Sequence, residues 1–381
     1  MSNEEETLIL DSVNRWLQRD VAPYAHDLEQ ADEYPHAMVE QMKELGLFGA
    51  TIDPEYGGLG LSASTYSKIV AAVAEVWMSL SGIFNSHLIM ARCVQSFGTE
   101  EQKQKYLPRF ATGELRGGIG LTEPDAGTDL QGIRCTAKKD GDYYIVNGSK
   151  AWITNSVEGS VIGLLVKTDP SATPPRKGMS MFIAENGEGF NVSKKLKKLG
   201  YKGIDTADIS FDNYRVHKDC LIGGVEGRGF YNAVGGLELG RINVAARGVG
   251  VATAALKQAT AYAQQRKTFG KPICEHQAIQ LKLGEMATRT EAARLLLEQA
   301  AKAFDSGERC DMEAGMAKYF ATEAAAKNAD ENLRIHGAFG YSCEADAERL
   351  YRDAPLMIIG EGTNEMQRII ISRQLIERNP I

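Results

Sequence analysis

The sequence predicts an α+β chain of three consecutive blocks: helical, then β, then helical again. Two observations carry this reading. Apolar residues recur every three or four positions in the first and last parts of the 381-residue chain, and alternate or cluster in short runs in the middle. That length also allows two or three domains at roughly 150 residues each, with ample core. The blocks divide as 1–118, 119–230 and 231–381.

In the first block Leu8, Val13, Trp16 and Leu17 fall at helical spacing, as do Met38, Met42, Leu45 and Leu47. The stretch Pro54 to Gly60, with Gly57, Gly58 and Gly60, reads as a loop. A further helix opens at Glu100 after Gly98-Thr99, with Thr99 as N-cap ahead of two acids. In the second block Asp140-Gly141 and Asn147-Gly148 are turn dipeptides flanking Tyr143-Tyr144-Ile145-Val146, which predicts a hairpin. Val161–Val166 and Met179–Ile183 are further strands around a Pro174-Pro175 loop, and Ala207–Phe211 alternates. In the third block Leu283, Met286, Thr290, Ala293, Leu297, Ala300 and Phe304 predict a long helix with one buried stripe. Gly248-x-Gly250 follows no strand and sits in an Ala-rich helical run, so it is not a dinucleotide-binding turn. No internal repeat is evident.

Hydrophobic residues make up 43% and charged residues 24% of the chain, and the net charge is −7, which argues against a general nucleic-acid surface. The local basic run Lys194-Lys195-Leu196-Lys197-Lys198 reads as a solvated face, with contact to an anionic partner such as CoA phosphates as the lesser reading. Six cysteines without a C-x-x-C pair read as reduced thiols, and six histidines show no metal-ligand spacing, so no metal is expected. The start, Met1 to Glu6, is acidic and lacks a signal or transit pattern. No apolar run approaches the roughly 20 residues that span a bilayer. The expectation is a soluble, cytoplasmic chain without a membrane partner.

The chemistry is concentrated near the C-terminus, at Gly360-Glu361-Gly362-Thr363-Asn364-Glu365. An acid between two glycines lets the backbone approach a ligand closely, which suits a carboxylate that must reach a weakly acidic C–H bond. Alone, the segment would be a Gly-rich turn with a solvated Glu. Three other segments precede it: Leu121-Thr122-Glu123-Pro124-Asp125-Ala126-Gly127-Thr128-Asp129, Lys150-Ala151-Trp152-Ile153-Thr154-Asn155, and Arg266-Lys267-Thr268-Phe269-Gly270-Lys271 running into Glu275-His276-Gln277. Together, and in this order, they resemble the FAD-dependent acyl-CoA dehydrogenases nearly end to end.

The resemblance implies an N-terminal helical domain, a central β-barrel or sandwich, and a C-terminal four-helix bundle. It implies α,β-dehydrogenation of an acyl-CoA thioester, in which a base removes the α-proton while a hydride leaves the β-carbon for N5 of FAD. An α C–H becomes acidic enough only if charge developing on the thioester oxygen meets fixed donors in a dry site. In the family those donors are the backbone N–H of the catalytic Glu and a flavin ribityl hydroxyl. Glu361 is the implied base. Leu121, Thr122, Gly127 and Thr128 match the loop that contacts flavin and acyl-CoA, with Thr128 also near the substrate. Trp152, Ile153 and Thr154 match residues flanking the isoalloxazine. Arg266, Thr268, Phe269 and Gln277 match residues that hold the FAD of a neighbouring subunit. Thr363 and Glu365 match flavin-contacting positions. Glu238 and Arg241 match a pair that engages CoA, with Gly362 and Arg373 completing the implied substrate contacts. A homotetramer and an electron-transferring flavoprotein as electron acceptor are likewise implied.

Departures from the family pattern also inform. Some relatives place the base on an earlier helix, one residue before an Arg; here that position is Gly240, before Arg241. Arg334 and Gly337 stand where the family commonly has a Gln and paired glycines, and Arg334 would meet a pyrophosphate by charge. Gly360 replaces a frequent Tyr, which suggests room for a branched or bulky acyl group. The stretch Ser81 to Met90 lacks the Arg that relatives handling dicarboxylyl-CoA place there, which argues against a second substrate carboxylate. Two other readings share the scaffold: O2-using flavin oxidases or monooxygenases, and a DNA-binding alkylation-response relative, against which the acidic balance argues.

Overall fold

The computed structural model describes residues 3–381; Met1 and Ser2, which open the acidic start, lie outside the described residues. Five helices come first: α1 (Asn3–Trp16), α2 (Ala22–Ala31), α3 (His36–Glu44), α4 (Ala63–Phe97) and α5 (Glu100–Ala111). Thr99 caps α5 as expected, its hydroxyl accepting from the Gln102 N–H, while the Gln102 side chain reaches back to the Thr99 N–H. The N3 partner in that capping box is thus Gln102; the two acids before it complement the helix dipole.

Seven strands follow, β1 (Gly117–Gly120), β2 (Thr136–Asp140), β3 (Tyr143–Thr154), β4 (Val161–Lys167), β5 (Met179–Glu185), β6 (Phe190–Val192) and β7 (Thr206–His217). They form one sheet in the order β1-β4-β2-β3-β7-β6, with β5 on the other edge of β4. β1 runs parallel to β4; β2–β3, β3–β7, β4–β5 and β6–β7 are antiparallel. The sheet curls around its own apolar centre, where Ile162, Leu164, Val166, Phe182 and Ala184 meet Tyr144, Phe190, Phe211 and Tyr214. The alternate residues Val161, Leu165, Met181 and Ile183 join the helical core instead. β4 and β5 are therefore buried on both faces, which is why they read as unbroken apolar runs.

The hairpin forms, but with one turn where two were expected. Asp140 pairs with Tyr143 across Gly141-Asp142. Asn147-Gly148 is no turn: it lies inside β3 at a register shift against β7, with Gly148 at φ +138°. A Gly in a strand interior often marks such an irregularity, and the strand continues through it to Thr154.

The last block holds α6 (Gly229–Gln265), a two-residue-stranded hairpin β8 (Lys267–Thr268) and β9 (Lys271–Pro272), α7 (Gln277–Asp305), α8 (Asp311–His336), α9 (Asp346–Ile359) and α10 (Asn364–Arg378). On α7, Met286, Thr290, Ala293, Leu297 and Ala300 are buried, and Leu283 and Phe304 pack at the edge of that stripe. Gly248 and Gly250 lie inside α6 and serve two helix contacts. A Cβ on Gly248 would meet Ala321 of α8 at 2.8 Å, and one on Gly250 would meet the Ala71 carbonyl of α4 at 2.4 Å. α4 and α6 thus run backbone-close, and this pair carries the site.

Two compositional expectations change. α4 is long and apolar enough to cross a bilayer by length and composition, but 72% of that stretch is buried inside the protein, so it acts as the central core helix. In the basic run, Lys194 and Lys197 are exposed, but Lys195 pairs with Asp32 at 2.8 Å and Lys198 donates to the Ile204 carbonyl. Only the alternate members form a solvated face. Burial lowers Lys198 to about 8. The six cysteines are all free thiols.

Candidate active site

Glu361 occupies the turn between α9 and α10. Its φ is +53° and that of Gly362 is +85°, so a non-glycine between two glycines holds a left-handed conformation. Such a conformation costs of order 1–3 kcal/mol and persists only when its surroundings fix it. They do so here. Lys318 of α8 donates to the carbonyls of Ile358 (3.2 Å) and Gly362 (2.9 Å) and to Asn364 Oδ1 (2.8 Å). Thr363 caps α10 through the Met366 N–H, and Gln367 Nε2 also donates to the Gly362 carbonyl. Burial pushes the Lys318 ammonium down to about 8, against the pull of Glu361, Glu365 and Glu323.

The Glu361 carboxylate points away from bulk water towards α4 and α6, with its side chain 20% exposed. Oε1 accepts from Asn85 Nδ2 (2.9 Å) and Arg247 Nη2 (3.3 Å). Oε2 is buried and has no partner. Burial raises the Glu361 pKa, while Arg247, Asn85, Lys318 and Arg241 pull it back. One oxygen is anchored and the other is bare, which is the arrangement a general base needs.

Gly240 faces the same carboxylate. A Cβ built there would lie 2.4 Å from Glu361 Oε2 and 3.1 Å from Ile89 Cδ1. The position where some relatives carry their base therefore opens onto the space that the Glu361 carboxylate fills. This yields a split prediction for Gly240→Ala. Helix propensity should stabilise α6 by about 1 kcal/mol. The displaced carboxylate should cost turnover about 10²-fold, as misplacements near 1 Å do. Melting temperature and steady-state rate, measured on the same flavin-loaded sample, should move in opposite directions.

The β side reaches the site through α4. A register shift between Lys150 and Ile153 turns Trp152 outwards, at φ +62° and 61% exposed, with its N–H bonded to Asp208. Asn155, next to Thr154, donates to the carbonyls of Ile83 and Gly117, which locks the end of β3 onto α4 two residues from Asn85. The loop carrying Leu121, Thr122, Gly127 and Thr128 lies alongside: the Ala151 N–H donates to the Thr122 carbonyl, and a Cβ on Gly127 would meet nothing within 4 Å. On the other side Glu238 and Arg241 share a face of α6 one turn apart; burial and Asp311 raise the Glu238 pKa, and Arg241 opposes them. Arg373 is exposed on α10, and Glu365, in the first turn of that helix, pairs with Arg368.

The remaining expected cofactor residues are not brought to this end of the molecule. Arg266 and Gln277 flank the β8–β9 hairpin; Thr268 bonds His276, and Phe269 at the tip has φ +51° and is 97% exposed. Arg334, 62% exposed and 3.5 Å from Asp330, and Gly337 lie at the end of α8, next to the end of α6 where Tyr262 stacks on His336. From Lys318 to His336, α8 runs roughly 27 Å at 1.5 Å per residue, so the two groups sit at opposite ends of the bundle. Each group fits part of FAD. The exposed indole, the open Gly127 loop and Thr154 suit a flat ring system, and the exposed cations and Phe269 suit a pyrophosphate and an aromatic base.

Sequence reasoning missed Asn85, Tyr201, Arg247 and Lys318. The absence of Arg from Ser81–Met90 does not leave the site without one, because Arg247 enters from α6. A lone cation inside Val244-Ala245-Ala246-Arg247-Gly248-Val249 was the available signal, since a charge on a buried face must find a partner.

Comparisons agree with this architecture. Three family models match in order: the acyl-CoA dehydrogenase N-terminal domain over residues 3–114, the middle domain over 118–214 and the C-terminal domain over 227–376. An acyl-CoA dehydrogenase of Bacillus subtilis is 40% identical across 98% of each chain. Among solved structures, butyryl-CoA dehydrogenase from Megasphaera elsdenii superposes with a TM-score of 0.94 at 33% identity over 99% of each chain. A chain from work on the electron transferring flavoprotein of Acidaminococcus fermentans superposes with a TM-score of 0.95 at 37% identity, again over 99% of each. The chain belongs to the acyl-CoA dehydrogenase family, flavin-dependent oxidoreductases whose cofactor is FAD.

Proposed function

We propose that this enzyme oxidises an acyl-CoA thioester to the trans-2-enoyl-CoA, with Glu361 taking the α-proton on Oε2. The bare, buried Oε2 of a carboxylate fixed through Oε1 is the observation that carries this reading. When bound, FAD supplies the hydride acceptor, held by Leu121, Thr122, Gly127, Thr128, Trp152, Ile153, Thr154, Thr363 and Glu365. Arg266, Thr268, Phe269, Gln277, Arg334 and Gly337 hold the cofactor of a neighbouring copy, and the 97% exposed Phe269 supports a homotetramer in which that ring is covered. Glu238, Arg241, Gly362 and Arg373, with Thr128, take the CoA thioester. Electrons leave to an electron-transferring flavoprotein, in keeping with the Acidaminococcus likeness. We place the enzyme in the cytoplasm, with domain limits near residues 118 and 230.

The acyl group is branched or bulky. Gly360 supports this: a Cβ there would meet the backbone carbonyl of Leu356 at 3.2 Å and no side chain within 4 Å, so no neighbouring side chain fills the position next to the base. The test is a panel of straight and branched acyl-CoAs with the purified flavoprotein and an artificial electron acceptor. Sustained acceptor-dependent turnover with little peroxide, fastest on a branched thioester, is expected. Peroxide as the main product would replace the dehydrogenase reading with an oxidase. A strong preference for short straight chains would sink the branched assignment.

A further inference from the structure

Arg247 is a buried cation held more elaborately than an ordinary ion pair requires. It is 4% exposed on α6 and donates from all three guanidinium nitrogens: Nε to Asn243 Oδ1 (2.7 Å), Nη1 to the Tyr201 hydroxyl (3.2 Å) and Nη2 to Glu361 Oε1 (3.3 Å). The first two partners are fixed in turn. Asn243 Nδ2 donates to the Tyr66 hydroxyl at 2.8 Å. Tyr201, at φ +56°, is tied by its backbone N–H to Asp353 Oδ1 at 2.6 Å, and its hydroxyl lies 1.5 Å from where a Gly82 Cβ would stand. The guanidinium cannot swing without breaking buried hydrogen bonds, so its direction is set before any substrate arrives.

We propose that Arg247 is the positioning residue of the base: with Asn85 it holds Oε1 and turns Oε2 towards the substrate. The inference rests on the reading of Glu361 as the base. Without a neighbouring cation, a carboxyl buried among apolar groups would retain its proton and have nothing to accept with. The groups facing Glu361 are Arg247 and Arg241 from α6, Lys318 from α8, Asn85 and Tyr66 from α4, and Tyr201 from the loop before β7. Of these, Arg247 and Asn85 reach the carboxylate, and only Arg247 brings charge. The arrangement is a compromise. The cation makes the base available at lower pH and weakens it once ionised, so the effect of removing it must depend on pH.

The test compares kcat/KM from about pH 5.5 to 9.5 for the flavin-loaded enzyme, Arg247→Gln and Arg247→Lys. The acid limb reports the base of the free enzyme, and loss of an opposite charge at this range moves it upward by about 1–3 units. Arg247→Gln should therefore lose roughly tenfold or more near pH 6 and recover most of that near pH 9. Arg247→Lys should keep the limb close to its original place. A Gln profile parallel to that of the unmodified enzyme, at whatever height, would overturn the proposal and leave Arg247 a structural residue. Should the Gln variant not accumulate with flavin, Tyr201→Phe keeps the charge but frees Nη1. It should then move the limb upward by less, and an unmoved limb there overturns the proposal equally. Normal turnover by Glu361→Gln would instead remove the base reading itself.

Discussion

Glu361→Gln is expected to fold, bind FAD and bind acyl-CoA, yet lose at least 10²–10⁴-fold in turnover, about 3–5 kcal/mol of barrier. The amide has the shape of the acid. Its carbonyl oxygen can still accept from Asn85 Nδ2 and Arg247 Nη2, which now anchor Oε1. The Lys318 bonds to Ile358, Gly362 and Asn364 involve no atom of the Glu361 side chain, so the turn keeps its support. What disappears is the Oε2 lone pair proposed to take the proton. Arg247 loses its anion, so some loss of melting temperature accompanies the change. Stopped-flow reduction of the bound flavin by substrate would read the chemical step separately from binding. Near-normal reduction would remove Glu361 from the mechanism.

Legibility tracked the distance over which a signal acts. The α5 cap, the α7 stripe and the Gly141 turn depend on neighbours a few positions apart, and each stands where the sequence put it. Asn147-Gly148 failed because a turn dipeptide is also what a strand irregularity uses, and only pairing with β7 decides between them. Lys195 and Lys198 failed for the same reason, since Asp32 and the Ile204 carbonyl become their partners only in the folded chain. The position of the proposed base was marked by its glycines and its family context. Its support was not: Asn85 lies 276 positions from Glu361, on a helix whose apolar pattern gives no reason to single it out. Arg247 and Lys318 sit in small-residue helical runs, where a charge betrays burial but not the partner.

Lys150→Met should be the most damaging change away from the base. Lys150 is fully buried, 2.7 Å from Glu123, whose side chain is 6% exposed, and it also donates to the Leu121 carbonyl at 3.1 Å. Glu123 accepts in addition from the N–H groups of Arg134 (2.6 Å) and Cys135 (3.1 Å). The pair thus ties the start of the Leu121–Thr128 loop to β3, the strand that ends in Trp152 and Thr154, and through Arg134 and Cys135 ties in the segment before β2. Removing the lysine strands a carboxylate in the interior, a defect that typically costs about 3–5 kcal/mol. The loss should appear as a lower denaturation midpoint together with release of FAD, because the loop proposed to hold the cofactor loosens first. Charge, rather than packing volume, is the cause to be tested. Glu123→Gln removes the stranded charge and keeps an acceptor for one of the two backbone N–H groups, which bond different carboxylate oxygens, so the double variant should regain part of the lost stability. A double variant no more stable than Lys150→Met would assign the defect to packing around the aliphatic stem, and the ion pair would lose its place as the anchor of the loop.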